Sequence, residues 1–342
     1  MRLKTVILLL MFIVGSAYAD PTGVAIEEHN ASSELQKSEI TVLKEKIKKL
    51  EAELATYKKV KPIATKAVIP VKEIVPSKVV KGKKFVVKIS KPETLTTYYS
   101  SNPQTIEELK SKLESNGFDI LATDEIFENE TVISFTNEEL QNTNSFLSVL
   151  HMSVNENSEI RVQNPSYFGA AFLQEKFTYG QFANTLKALE LTLGEMYEVE
   201  DKLGLSDLPK YHFMLGMPRV NDTIVVARGS DIIEKLSKTD TTKYISYMMK
   251  LPNGSTIVGH KLNYTTYDYL KKIKAENNAQ IFPYKVMIED EKAVMLNPKY
   301  YLALSLPLLS MTDFLKIASA PDQIEKDIKT AYEKKKDPSP KN

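Results

Sequence analysis

The chain has 342 residues, 45 Lys and Arg against 44 Asp and Glu, and neither cysteine nor tryptophan. The missing thiols exclude disulfides, thiolate catalysis and cysteine-held metals. A net charge of +1 gives no overall attraction for nucleic acid, and none is expected as a partner.

Residues 1–19 read as a secretory signal peptide. Arg2 and Lys4 form a basic start, Val6 to Val14 is a short apolar run, and Ala17 and Ala19 offer small residues for cleavage. The apolar run is about half the roughly 20 residues that span a bilayer. Cleavage is therefore expected, giving an exported, periplasmic protein, soluble or peripherally envelope-associated, with no transmembrane span. Residues 20–32 carry no periodic pattern and are expected to be disordered.

A heptad seam occupies 33–58. Ile40, Ile47 and Leu54 take one core position, and Leu43, Leu50 and Tyr57 the other, at alternating spacings of three and four. A parallel homodimer sets Glu39 against Lys44, Lys46 against Glu51 and Glu53 against Lys58, all opposite in sign. An antiparallel pairing about the same seam brings like charges together. Residues five apart do not face each other on a single helix, so the pattern points to self-association. Isoleucine with leucine at the alternate core position favours two strands. The expected partner is a second copy of this chain in a parallel coiled coil.

Residues 59–92 form a basic linker. From Lys58 to Pro92 inclusive stand eleven lysines and one acid, Glu73, and Pro62, Pro70, Pro76 and Pro92 forbid a continuous helix. The stretch reads as a semi-extended tether. Its charge would also suit an anionic envelope surface. Lys84 to Ile89 is expected to end it as a lysine-guarded edge strand.

Two phrases then recur: RVQNPSYFGAAFL at 161–173 and VMLNPKYYLALSL at 294–306. In each, Asn at a helix N-cap and Pro at the first helical position end a strand and start a helix. Upstream of both lies a hairpin, Ser148–Val154 with Glu159–Val162, and Tyr284–Ile288 with Ala293–Leu296. Further upstream, Thr131–Phe135 corresponds to Ser255–Gly259, Phe118–Ile126 to Tyr244–Leu251, helix Pro103–Ser115 to Ser230–Ser237, and strand Thr94–Tyr99 to Thr223–Ala227. The expected fold class is α/β, an α+β sandwich of two tandem β-α-β-β-α-β-β domains at 93–175 and 223–330. Between them, 176–222 should hold a helix from Phe182 to Leu193, ended by Gly194, and a strand from Leu208 to Gly216. Residues 331–342 are expected to be a disordered basic tail.

The element order resembles the bacterial domain of unknown function 302 family. The resemblance rests on the Gly117-Phe118 strand entry after an amphipathic helix, on strand-then-helix at Ile133–Leu140 and Ile257–Leu270, and on the hairpins led by Phe146-Leu147 and Phe282-Pro283-Tyr284. It spans roughly 94–173 and 223–310. It implies a small α/β sandwich and brings no activity with it. The family's Phe-Gly-Asn-Pro turn is replaced by Phe135-Thr136-Asn137-Glu138 and Gly259-His260-Lys261-Leu262.

No nucleophile elbow, phosphate loop, histidine-pair metal motif or paired-carboxylate motif is present, and glycine is scarce, at 12 residues. No cofactor and no metal are expected. His260, after Gly259 at a strand end, is the best single site candidate. His151 and His212 are expected to be structural. The pairs Tyr167-Phe168 and Tyr300-Tyr301 could line a ligand groove or pack the core. The chain is therefore read as a non-catalytic exported binding module displayed on a coiled coil. A periplasmic enzyme with a site between the repeats, near His260, is the alternative.

Overall fold

The computed structural model describes residues 83–85, 91–239 and 241–333. The expected signal peptide and heptad segment, with Ile40, Leu43, Ile47, Leu50, Leu54 and Tyr57, most of the expected linker, and 334–342 lie outside the described residues. The fold is mixed α and β with antiparallel sheets. Among the described residues no helix is long and apolar enough to cross a membrane.

Fourteen strands are described: β1 (Lys83–Lys84), β2 (Thr94–Thr96), β3 (Tyr98–Ser101), β4 (Asp119–Phe127), β5 (Glu130–Thr136), β6 (Leu150–Val154), β7 (Ile160–Gln163), β8 (Met196–Glu198), β9 (Lys202–Gly204), β10 (Ile224–Arg228), β11 (Ile245–Lys250), β12 (Thr256–His260), β13 (Tyr284–Glu289) and β14 (Lys292–Met295). The first sheet has the order β1-β8-β3-β7-β6-β5-β4, the second β10-β14-β13-β12-β11, and β2 pairs with β9 alone. Within the first sheet, β3-β7-β6-β5-β4 is the same arrangement as the whole second sheet: two hairpins joined by a connection that carries helical turns, with the earliest strand paired to the last.

Register extends the match. Arg161 lies opposite Ser100 and Ser153, as Val294 lies opposite Val225 and Met287. Both sheets carry a bulge at the start of their outer strand, between Ile120 and Ala122 and between Ile245 and Tyr247. An inserted residue there increases the local twist, and both outer strands meet a helix just before it.

The helices form where local chemistry asks for them. Ile106–Ser115 opens with a full capping box, Thr105 and Glu108, and buries Leu109 and Leu113 against Ala183–Leu193. Pro165–Leu173 and Pro298–Ser305 each start from an Asn N-cap, whose side chain accepts from Ser166 N and Lys299 N respectively. The helix Ala320–Tyr332 buries Ile324, Ile328 and Ala331 along one stripe. Its Asp327 accepts from Asn263 N (3.0 Å) and from the side chains of Asn263 and Thr266, so it caps the short helix Tyr264–Tyr267 from outside.

Three expectations are corrected. Leu208–Gly216 is not a strand: Leu208–Lys210 is a single 3-10 turn with Pro209 in its first positions, and the chain then loops, because proline presets a turn there and removes a ladder donor. Thr94–Tyr99 is not one strand. It splits at Thr97, whose N–H donates to Asp201 O (2.8 Å), so β2 leaves the first sheet to pair with β9. The expected tail segment 331–342 is not disordered at its start, since Ala331 and Tyr332 belong to the last helix and Ala331 is buried.

Candidate functional site

The central strands of the first sheet are buried on both faces. On one face Leu150, Met152, Phe135 and Val162 join the apolar core. The other face carries Val132 and Tyr98 but is otherwise polar: Ser134, His151, Ser153, Arg161 and Gln163, packed under the turn Glu276–Ile281 of the second half. Buried polar groups must be hydrogen-bonded, and most of these are. Ser153 Oγ donates to Gln280 Oε1 (2.8 Å), and Gln163 Nε2 donates to Gln280 O (3.2 Å). His151 Nδ1 lies 3.2 Å from the same carbonyl, and Nε2 lies 3.2 Å from Tyr247 Oη. A carbonyl only accepts, so Nδ1 carries the proton and Nε2 accepts from Tyr247. Burial, and then the nearby Lys285, hold this imidazole well below the usual histidine range. His151 is therefore a neutral structural residue.

The contact is mirrored from the other side. Lys285 stands opposite Gly259 as His151 stands opposite Ser134. Its Nζ donates to Phe146 O (3.1 Å) and Val149 O (2.5 Å), while His151 donates to Gln280 O. Phe146 and Gln280 precede Leu150 and Tyr284 by the same interval, so each half inserts a matched side chain into the matched carbonyl of the other. Burial pulls the Lys285 ammonium down to about 7.

Where the polar face emerges from under the second half, it opens into a cleft of about 770 Å³. Its floor is Ser100, Arg161 and Ser153, side by side on β3, β7 and β6. One wall is the segment Glu198–Asp201, and the other is Lys274–Asn278 with Leu308. Arg161 pairs with Asp201 (3.1 Å) and lies over the Tyr98 ring at 5.4 Å. Burial raises Asp201 even against that guanidinium. At the rim, burial and then Glu159 push Glu130 up to about 7. Five carboxylates, Glu130, Glu159, Glu198, Glu200 and Asp201, face two basic side chains, Arg161 and Lys274. Among the described residues no three acids or histidines converge closely enough to hold a metal ion.

The expected site residues lie elsewhere. His260 is fully buried on β12, with Nε2 2.8 Å from Tyr332 Oη, and burial lowers it to about 3. Tyr167, Phe168, Tyr300 and Tyr301 are all core residues: Tyr167 Oη donates to Leu304 O (2.8 Å) and Tyr301 Oη to Ile281 O (2.9 Å). None of the five lines the cleft. His212 sits in the loop after Lys210 rather than in a strand. The cleft residues come from segments far apart in the chain, and no single one carries a motif. One signal was present in the sequence. In the two recurrent phrases, Arg161 and Val294 occupy the same place before Asn-Pro, a charge against an aliphatic in otherwise similar text.

Comparison with protein-family models, with curated proteins and with solved structures finds no match to this chain.

Proposed function

We propose that this chain is an exported, non-catalytic binding protein: two copies of one α/β domain, paired face to face, carry a small-ligand cleft at their junction, and the 33–58 heptads join two chains in parallel. The shared strand order, the matched bulges and the mirrored His151 and Lys285 contacts support duplication. The resemblance to the bacterial domain of unknown function 302 family belongs to the same reading, with each half as one such sandwich.

One observation carries the ligand assignment. At three register-matched positions the first sheet has Ser100, Arg161 and Ser153, and the second has Val225, Val294 and Met287. A sheet of the same strand order therefore carries valine and methionine at these positions, and the polar trio is not common to both sheets. A concave site with a few convergent polar groups is where small molecules bind. The test is thermal unfolding of the full chain against a panel of amines, sugars, carboxylates and short peptides. A stabilising compound whose effect is lost in Ser153→Met supports the reading, and a panel with no binder overturns it. Self-association is checked by light scattering with and without residues 20–60. Monomers in both preparations would remove the coiled coil.

A second reading is favoured by Glu130 alone: a carboxyl at about 7 suits a general acid or base near neutral pH. Against it, the cleft hydroxyls are not activated. Ser100, Ser101 and Ser153 donate to Tyr197 O, Asn102 O and Gln280 Oε1, none of them a base. Turnover of ester, glycoside or peptide substrates that disappears in Glu130→Gln would establish the enzyme instead.

A further inference from the structure

We propose that the cleft takes a small organic cation bearing two or more amino groups. This rests on the binding reading above and names its ligand class. Some of the charges on the cavity walls are already answered. Asp201 is answered by Arg161, and Glu198 by Lys202 at 2.7 Å. Glu130, Glu159 and Glu200 have no ion pair among the described residues, and neither has Lys274, so three carboxylates stand against one ammonium; Glu159 accepts only from the neutral Asn155 amide (2.8 Å). These carboxylates come from three separate segments, the start of β5, the β6–β7 turn and the stretch after β8, and all line one concavity. Field lines from like charges focus in such a cleft and attract the opposite sign.

The spacing selects among cations. A metal ion needs several oxygens at one point, and these carboxylates do not converge. Ammonium groups joined by a chain can meet them one at a time. The hydroxyls of Ser100 and Ser153, whose protons go to Tyr197 O and Gln280 Oε1, keep lone pairs that can accept along the way. The cavity volume, about 770 Å³, lies within the ordinary range for small-molecule sites.

Binding should be proton-linked. The groups acting on Glu130 are Glu159, Glu156 and Glu276, which raise it, and Arg161, which lowers it; burial outweighs them all. A bound ammonium beside this carboxyl favours its ionised form. Ligand binding then expels a proton near neutral pH, and affinity falls as the pH drops below about 7.

The experiment is calorimetric titration of the full chain with spermidine, with fully N-acetylated spermidine and with calcium chloride, at pH 7.5 and 6.0. Spermidine should bind at one site, at least about tenfold tighter than its acetylated form. Its affinity should fall severalfold between the two pH values, and Glu130→Gln should abolish that fall. Glu159→Gln with Glu200→Gln, both at exposed positions, should weaken binding without disturbing the fold. Equal binding of spermidine and its acetylated form, equal or tighter calcium binding in competition, or no spermidine binding overturns the inference. A neutral or anionic compound from the panel that binds and is displaced by Ser153→Met would leave the binding reading standing while removing this one.

Discussion

In the first sheet β5 carries Ser134 opposite Ala122; in the second, β12 carries Gly259 opposite Tyr247. The matched cross-strand pairs have exchanged volume: a medium and a small residue on one side, none and a large one on the other. The exchange has a use. Because Gly259 has no side chain, the Tyr247 ring lies flat over it and its hydroxyl reaches His151 in the other half. The same comparison sets Ser100, Arg161 and Ser153 against Val225, Val294 and Met287. There Ser100 and Arg161 reach the cleft half-buried and Ser153 stays buried against Gln280, whereas Met287 packs with Val149, Tyr247, Leu251 and Ile257 in a small apolar cluster. One strand plan thus supports two surfaces: one closes the junction between the halves, and the other is left partly open.

The sharpest way to break this comparison is Gly259→Ser, which writes the first-sheet residue into the second. Its Cβ would overlap the Tyr247 ring. Overpacking of this kind should cost about 3 kcal/mol, read from urea unfolding. Adding Tyr247→Ala recreates the first-sheet pair, and the double variant should lose less than the sum of the two single losses. A neutral Gly259→Ser would show that the two pairs are not equivalent.

Next in size is the buried ammonium. Lys285 is lowered from its ordinary value of 10.5 to about 7 by burial, and its two carbonyl partners act in the opposite sense by favouring the charge. Between these values the unfolded chain binds a proton that the native chain does not, so stability rises with pH through that window and is lost as pH falls toward 7. Replacing the lysine by methionine removes the linkage. Between pH 7.5 and 9.5, wild type should gain roughly 2 kcal/mol relative to Lys285→Met, followed by denaturant midpoints in the two buffers. A difference that stays constant across the window would mean that Lys285 is charged throughout.

What could be read from the sequence follows from how local each signal is. The Asn-Pro helices, the hairpins before them and the capped helix at 106–115 were legible because caps, proline and alternation act within a few residues. The strands β8 and β9 were not. Each has three residues and no pattern of its own, and exists only through partners such as Glu198 with Lys83 and Tyr99, and Gly204 with Thr94. The split of Thr94–Tyr99 depends on the same distant pairing. The site was legible at one position only, the contrast of Arg161 with Val294. Glu130, Glu200 and Asn277 look like ordinary solvated residues until the fold brings them to one cleft.

A smaller difference separates the two helix caps. Asn164 is fully buried, and its Nδ2 also donates to Thr96 O (2.7 Å), tying the helix to β2. Asn297 is only half-buried and makes the cap bond alone. Asn164→Ala should cost about 2 kcal/mol and Asn297→Ala about 1 kcal/mol, measured by thermal unfolding. Equal losses would make the second bond of Asn164 irrelevant.

The smallest expected effect on stability is also the one that decides what the polar face is for. Arg161→Val places the residue of β14 on β7. It removes an ion pair whose side chains are 16 % and 18 % exposed and a ring contact with Tyr98, but it introduces a side chain that the same register position already tolerates in the second sheet. The loss should be about 1 kcal/mol or less, most of it from leaving Asp201 without its partner. Asp201→Asn in the same chain should therefore recover part of it. Stabilisation by spermidine should persist in Arg161→Val, because the substitution removes a positive charge from the cleft and leaves Glu130, Glu159 and Glu200 in place. If Arg161→Val instead cost several kcal/mol, the arginine would be holding the fold together. The contrast with Val294 would then need no ligand to account for it.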